Sequence, residues 1–251
     1  MASPIVTAAR ANFGGMCGRY TLANPDPARL RARFDILEST AEAVVGETAE
    51  ARYNIAPTDP VLAVRRREEG ARELGRLRWG LVPGRWAEQG KGPPLINARA
   101  ETLERQAAFK ESFHERRCLI PADGFYEWLT DERGKRPVWI SRPDGELFAF
   151  AGIWAALKRK GSDEVLHSCA IVTCDPNDLI RPIHDRMPVI LDPGLEAAWL
   201  DPDADPEDLL ELLVPAPDRS LVLHEVGDLV NNVRNDGPEL IAPREEQSAL
   251  F

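Results

Sequence analysis

A chain of 251 residues, 43% hydrophobic and 29% charged, carries enough apolar material for one sizeable domain, and none of its apolar runs approaches the roughly 20 residues that cross a bilayer. Four scattered cysteines without a CxxC exclude a disulfide scaffold. The formal net charge of −10 argues against a uniformly basic nucleic-acid binder, but its spread is uneven: residues 16–160 hold 25 Lys and Arg against 21 Asp and Glu, whereas residues 161–251 hold 5 against 20.

The first fifteen residues carry a single charge, Arg10, and no continuous apolar stretch, so they make a poor secretory signal. They are expected to be a leader (1–15), ahead of one domain (16–240) and a flexible tail (241–251). Asp26-Pro27 supplies an N-cap and an N1 proline for a helix through Leu30 and Phe34. Strand-like runs follow at 61–66 and 76–82. Ala100, Leu103, Ala107 and Phe113 recur at helical spacing, predicting a helix over 98–113. Further strands are expected at 117–122, 125–129, 136–140, 147–153, 165–173, 187–191 and 220–226, separated by Pro, Gly and Asp turns. Asp205-Pro206 opens a third helix through Leu209, Leu210 and Leu213. The expected class is α+β and mostly β, a curved or barrel-like antiparallel sheet with peripheral helices.

The segment Met16-Cys17-Gly18-Arg19-Tyr20 carries the most chemistry. A cysteine after an initiator methionine is exposed by aminopeptidase, because its side chain is small. Met16 is therefore the expected true start, with proteolytic removal of the leader as the second route. The exposed residue holds a thiol and an α-amine on adjacent carbons. That pair can form a Schiff base with an aldehyde and then close through sulfur into a thiazolidine. An amine pKa of about 7.7–8.0 and a thiol pKa of about 8.5 leave a reactive fraction near neutrality. The plain alternative is a buried structural cysteine in a strand.

Three polar clusters stand in apolar surroundings: Asn97-Ala98-Arg99-Ala100-Glu101-Thr102, Pro121-Ala122-Asp123-Gly124-Phe125-Tyr126-Glu127-Trp128, and Arg181-Pro182-Ile183-His184-Asp185-Arg186-Met187-Pro188. Together with Met16–Tyr20, Arg52-Tyr53-Asn54-Ile55-Ala56-Pro57 and Arg78-Trp79-Gly80-Leu81-Val82-Pro83, they closely resemble the SRAP family, the SOS-response-associated or abasic-site processing proteins. The resemblance spans residues 16 to about 240. It implies that Cys17 cross-links to the aldehyde of an abasic site in single-stranded DNA. It further implies that Asn97 positions the amine, that Glu127 assists proton transfer, and that His184 handles protons at the sugar, including strand-cleaving β-elimination. Arg19, Arg99 and Arg186 match phosphate-binding arginines, and Trp79 an aromatic beside the DNA. A cytoplasmic monomer, nucleoid-associated on DNA, is expected, with no cofactor and no membrane contact.

Taken singly, each residue has a plainer reading. Glu127 fits a salt-bridged strand residue, His184 a turn cap, and Asn97 a helix N-cap. Arg99 fits a solvated charge and Trp79 a core residue. Cys169 and Cys174 near His167 match no standard zinc spacing, so no metal site is expected. The chain ends Gln247-Ser248-Ala249-Leu250-Phe251, like the Gln-x-x-Leu-Phe peptide that docks on the replication sliding clamp, with Gln247, Leu250 and Phe251 as anchors. Rival functions are an N-terminal-nucleophile amidotransferase, a peptidase cutting before Cys17, and a non-catalytic single-strand binding module.

Overall fold

The computed structural model describes residues 18–45, 50–67, 70–84, 94–158 and 163–244. Cys17 and the anchors Gln247, Leu250 and Phe251 lie outside the described residues, as do 1–15.

Five long strands close on themselves. β3 (Pro60–Arg66) pairs antiparallel with β4 (Arg72–Trp79) along its whole length, Val61 opposite Leu77. β3 also meets β6 (Arg117–Ala122) through Val64 and Leu119, and β6 runs antiparallel to β9 (Phe148–Lys158). β9 pairs antiparallel with β10 (Val165–Cys174), and β10 returns to β4 with Ser168 opposite Arg78. The barrel so formed has no free edge within that ring. The β10–β4 pairing is parallel, as is that of β10 with β5 (Asn97–Arg99). Those two pairs depart from the antiparallel pattern expected of the barrel. β6 is apolar after Arg117, and all six of its residues are buried.

A second sheet takes the order β13-β8-β7-β1-β2, with β1 at Tyr20–Leu22, β2 at Arg52–Ile55, β7 at Gly124–Asp131, β8 at Gly134–Ser141 and β13 at Val222–Glu225. It packs on the barrel through aromatic rings. Tyr20 of β1 meets Trp79 at 5.4 Å and Phe150 at 5.7 Å between centroids, and Phe125 of β7 meets Phe150 at 6.1 Å. All four rings are essentially buried, which stabilises each by roughly 1.5–3 kcal/mol. Within this sheet Gly124 of β7 leaves room for the Trp139 ring of β8, because a Cβ there would lie 2.3 Å from the indole nitrogen.

Helices decorate the periphery. α1 (Pro27–Phe34) starts as its sequence dictates, with the Asp26 carboxylate accepting from Arg29 N at 2.8 Å and Leu30 and Phe34 turned inward. α2 (Glu38–Val45) follows it. α5 (Pro206–Glu211) is capped in the same way by Asp205. α3 (Lys110–Glu115) and α4 (Glu196–Leu200) are single turns or little more.

The helix expected over 98–113 does not form. Residues 97–99 are a strand on β10, a 3₁₀ turn covers 100–102, and only α3 is helical. Ala107, one of the spaced apolar residues, faces solvent, while Phe109 takes the buried position instead. Asn97 is therefore a strand residue and caps no helix. The run at 76–82 ends at Trp79, because Gly80 has φ 127 and a side chain there would strike Pro94. The run at 187–191 is broken into β11 (Met187–Pro188) and β12 (Ile190–Leu191) by Val189, whose N–H donates to Val172 and whose carbonyl accepts from Ala151.

Candidate functional site

Two polar clusters carry the site residues, one on the second sheet and one on the barrel sheet. The first is built on β1, β2 and β7. Tyr126 N donates to the carbonyl of Arg19 at 3.0 Å, extending the β1–β7 ladder towards the N-terminus, so Arg19 runs beside the strand that carries Glu127. Glu127 is buried, 2% exposed, opposite Val138 in the β7–β8 register. The Tyr126 hydroxyl donates to the carbonyl of Tyr53 at 2.8 Å, tying β7 to β2 across β1. Arg19 donates through Nη1 to Asn54 Oδ1 and to the Val230 carbonyl, both at 2.8 Å. The Arg19 guanidinium carbon sits 6.0 Å from the Trp128 ring centroid, and Trp128 donates in turn to Asn231 Oδ1. Burial lowers the pKa of Arg19, opposed by Asp59 and Tyr126, yet a guanidinium stays charged. Asp123 fastens the other end of β1. Its carboxylate accepts from Thr21 Oγ1 and Ala23 N at 2.5 Å, and burial raises its pKa against those bonds.

The second cluster gathers β5, the end of β10 and the segment leading into β11. Asn97, Ala98 and Arg99 stand opposite Ile171, Val172 and Thr173. Asn97 is 8% exposed, and Arg99 is exposed. Arg186 crosses between these elements. It reaches Glu101 Oε1 and Oε2 at 2.8 and 3.0 Å, Asp175 Oδ1 at 2.9 Å and the Thr173 carbonyl at 2.7 Å. Burial opposes the charge on Arg186, but its bonds with Glu101 outweigh that cost and raise its pKa. Glu101 answers in kind: burial pushes its pKa up, and the Arg186 hydrogen bonds bring it below the usual carboxylate value. His184 sits on this frame with Nδ1 accepting from Arg186 N at 3.0 Å. Asp185 Oδ1 lies 3.1 Å from the same nitrogen, which would favour a proton there. The Arg186 carbonyl also lies 3.3 Å from that nitrogen; the shorter contact from Arg186 N, with the Asp185 side chain 88% exposed and solvated, favours the Nε2–H form of the neutral ring.

One ring joins the clusters. Trp79 packs edge-on against Tyr20, next to Arg19, and donates from Nε1 to the carbonyl of Ile96, next to Asn97, at 2.8 Å. Trp79 is 1% exposed, so it is no stacking platform for DNA, and the assignment suggested by its motif gives way to a core role. Arg186 departs from expectation too, since its guanidinium is occupied by Glu101, Asp175 and Thr173 and holds the His184 segment in place. Arg19 and Arg99 keep surface access. Two residues of this frame received no role from the sequence: Asn54, quoted only within its motif, and Asp236. An asparagine in the middle of a strand-like motif was the available signal for the first.

The remaining chemistry is quiet. Cys118, Cys169 and Cys174 are buried thiols. Burial drives Cys118 and Cys174 to about 12 and raises Cys169 well above the usual thiol value. His114 pairs with Glu104, His167 stands edge-on to Trp154, and His224 bonds the Ile241 carbonyl. Among the described residues no group of His, Cys, Asp and Glu is arranged to hold a metal, and no helix is long and apolar enough to cross a membrane.

A five-stranded barrel with an attached sheet and peripheral helices defines the class first. It is shared by a solved protein from Bacteroides thetaiotaomicron (TM-score 0.75, 22% identity, 91% of this chain and 100% of that one). A phage-related protein from Bordetella bronchiseptica also has it (TM-score 0.63, 31% identity, 84% and 94%). The sequence narrows the class further, for the family model described as SOS response associated peptidase (SRAP) matches residues 16–233, and the chain belongs to that family. It is 41% identical over 229 residues to the abasic site processing protein YoqW of Bacillus subtilis, covering 90% of this chain and 99% of that one. With YedK of Escherichia coli, which bears the same description, it shares 32% over 235 residues, covering 91% and 100%. With HMCES of Xenopus tropicalis, likewise so described, it shares 34% over 199 residues, covering 70% and 58%.

Proposed function

We propose that this protein captures abasic sites in single-stranded DNA through Cys17, once Cys17 is the N-terminal residue. The α-amine adds to the ring-opened sugar aldehyde and water leaves, giving a Schiff base. The thiol then adds across the C=N bond, its proton passing to nitrogen, and a thiazolidine closes without any outside oxidant or reductant. Asn97 positions the amine, Glu127 relays protons during dehydration and closure, and His184, with its Nε2 proton, serves the sugar oxygen. Arg19 and Arg99 hold the phosphates. Lyase cleavage and self-removal of the leader draw on the same Glu127 and His184.

The observation that carries this reading is the Tyr126–Arg19 backbone bond. Cys17 is two residues from Arg19, so covalent geometry keeps it within about 7 Å of a backbone lying beside Glu127. The other three cysteines support it from the opposite side, because their buried, protonated thiols make poor nucleophiles.

The test is denaturing-gel capture of an abasic single-stranded oligonucleotide by the full chain, a version starting at Met16, and that version with Cys17→Ala. A heat-stable adduct from the Met16 version alone is expected. If the full chain also reacts, intact mass should show the leader gone. Strand binding without any adduct from the three proteins would end the covalent reading and leave a binding module. Docking of Gln247, Leu250 and Phe251 on the sliding clamp belongs to the same proposal, and requires clamp pull-down to vanish when 247–251 are removed.

A further inference from the structure

Asn54 is 1% exposed on β2, where a carboxamide is costly to bury unless both its ends are satisfied. Nδ2 faces three backbone carbonyls, those of Val230, Asn232 and Asn235, at 3.2, 3.1 and 2.9 Å. Oδ1 accepts from Arg19 Nη1. The segment Asn54 grips is tied down separately by Asp236, whose carboxylate accepts from Tyr53 N, Asn54 N and Arg52 Nε. Asn54 thus stands between a strap of chain 176 to 181 residues away and one guanidinium nitrogen.

The consequence lies in which edge of Arg19 is used. Nη1 has two protons and two acceptors, Asn54 Oδ1 and the Val230 carbonyl. Nε and Nη2 have no hydrogen-bond partner among the described residues, while Trp128 covers the face of the group. In a guanidinium, Nε–H and the neighbouring Nη2–H point the same way and form the fork that meets two oxygens of one phosphate. We infer that Asn54 is a positioning residue that locks Arg19 through Nη1 so that its Nε–Nη2 edge is presented as a two-pronged clamp for a backbone phosphate of the captured strand.

This rests on the proposed DNA capture but is tested apart from it, by binding of an undamaged single-stranded oligonucleotide across a salt series. Asn54→Ala and Arg19→Ala are each expected to lower affinity on the order of tenfold, as loss of a charge-assisted contact does. Each should also reduce the slope of log K against log salt by about 0.7. In the Arg19→Ala background, Asn54→Ala should cost nothing further. Asp236→Asn loosens the same strap but leaves Asn54 on Arg19, so it should lower the melting temperature while affinity stays within about twofold. Additive losses, or an Asp236→Asn variant as weak as Asn54→Ala, would show a merely structural asparagine and overturn the inference, as would unchanged affinity in Asn54→Ala. If Asn54→Ala does not fold, Asn54→Ser carries the same cycle with a shorter acceptor. An intact cycle in a protein that never cross-links would leave the clamp standing and sink only the covalent reading.

Discussion

Trp79 and Ile96 are joined by a buried hydrogen bond, indole Nε1 to carbonyl, at 2.8 Å. That bond sets the level at which β5 begins, and Asn97 is its first residue. Trp79→Phe would remove one of the two donors to the Ile96 carbonyl, which keeps Ile171 N, and shrink a buried ring, destabilising the fold by about 1–2 kcal/mol. Affinity for undamaged single-stranded DNA should hold within about twofold, whereas cross-linking slows because Asn97 shifts. A stacking role for Trp79 demands the reverse, lost affinity at unchanged melting temperature, and calorimetry with anisotropy titration separates the two.

Gly124 has no room for a methyl group, since its Cβ would overlap Nε1, Cε2 and Cζ2 of Trp139. Gly124→Ala is expected to cost about 1–3 kcal/mol by overpacking. Shrinking the opposing ring with Trp139→Phe should recover part of the loss. Chemical denaturation of the two single variants and the double one reads this directly, and independent, additive costs would contradict the steric account.

Glu101 titrates below its usual value because Arg186 holds it. A carboxylate with a depressed folded pKa contributes stability above its unfolded pKa, about 4.3, and that contribution is lost as pH falls through the folded value. Glu101→Gln should therefore melt lower than the parent at pH 6, with the gap closing as the buffer is taken towards pH 3. A gap that stays constant with pH would mean that the Arg186 bridge contributes nothing to folding.

The shorter contact at His184 Nδ1, 3.0 Å from Arg186 N against 3.3 Å to the Arg186 carbonyl, favours the Nε2–H form of the neutral ring. Nitrogen-15 spectra of labelled protein above the histidine titration should show the pattern of that tautomer. The Nδ1–H pattern would instead assign the decision to Asp185.

The buried thiols give a simpler expectation. In native buffer near pH 7.5, alkylation followed by intact mass should find Cys118, Cys169 and Cys174 unmodified, and denaturant should expose all three. Rapid native labelling of any of them would show that the barrel opens on the timescale of the experiment.

Much of the barrel was legible because most of its strands carry apolar stretches bounded by turn residues; β6 fell on 117–122 as expected. α1 and α5 were legible through Asp-Pro starts, which act locally. The stretch 98–113 was not, since its helical spacing competes with the open hydrogen-bonding edge that β10 offers to 97–99, a partner some 74 residues away that no local pattern announces. The two tryptophans of the motifs show the same limit: an indole is equally apt for a core or a surface, and only packing put Trp79 inside. The role of Asn54 was missed, though its motif was read, because it lies in carbonyls 176 to 181 residues downstream.

That distance has a consequence for synthesis. β1 finds its neighbour β7 only when residue 124 and beyond have been made, and Arg19 receives its Val230 acceptor only when the chain is nearly finished. Domains emerging from the ribosome fold as their partners appear. The frame around Arg19 is thus begun by some of the earliest described residues and completed by some of the last, so a chain cut short before residue 230 would lack it.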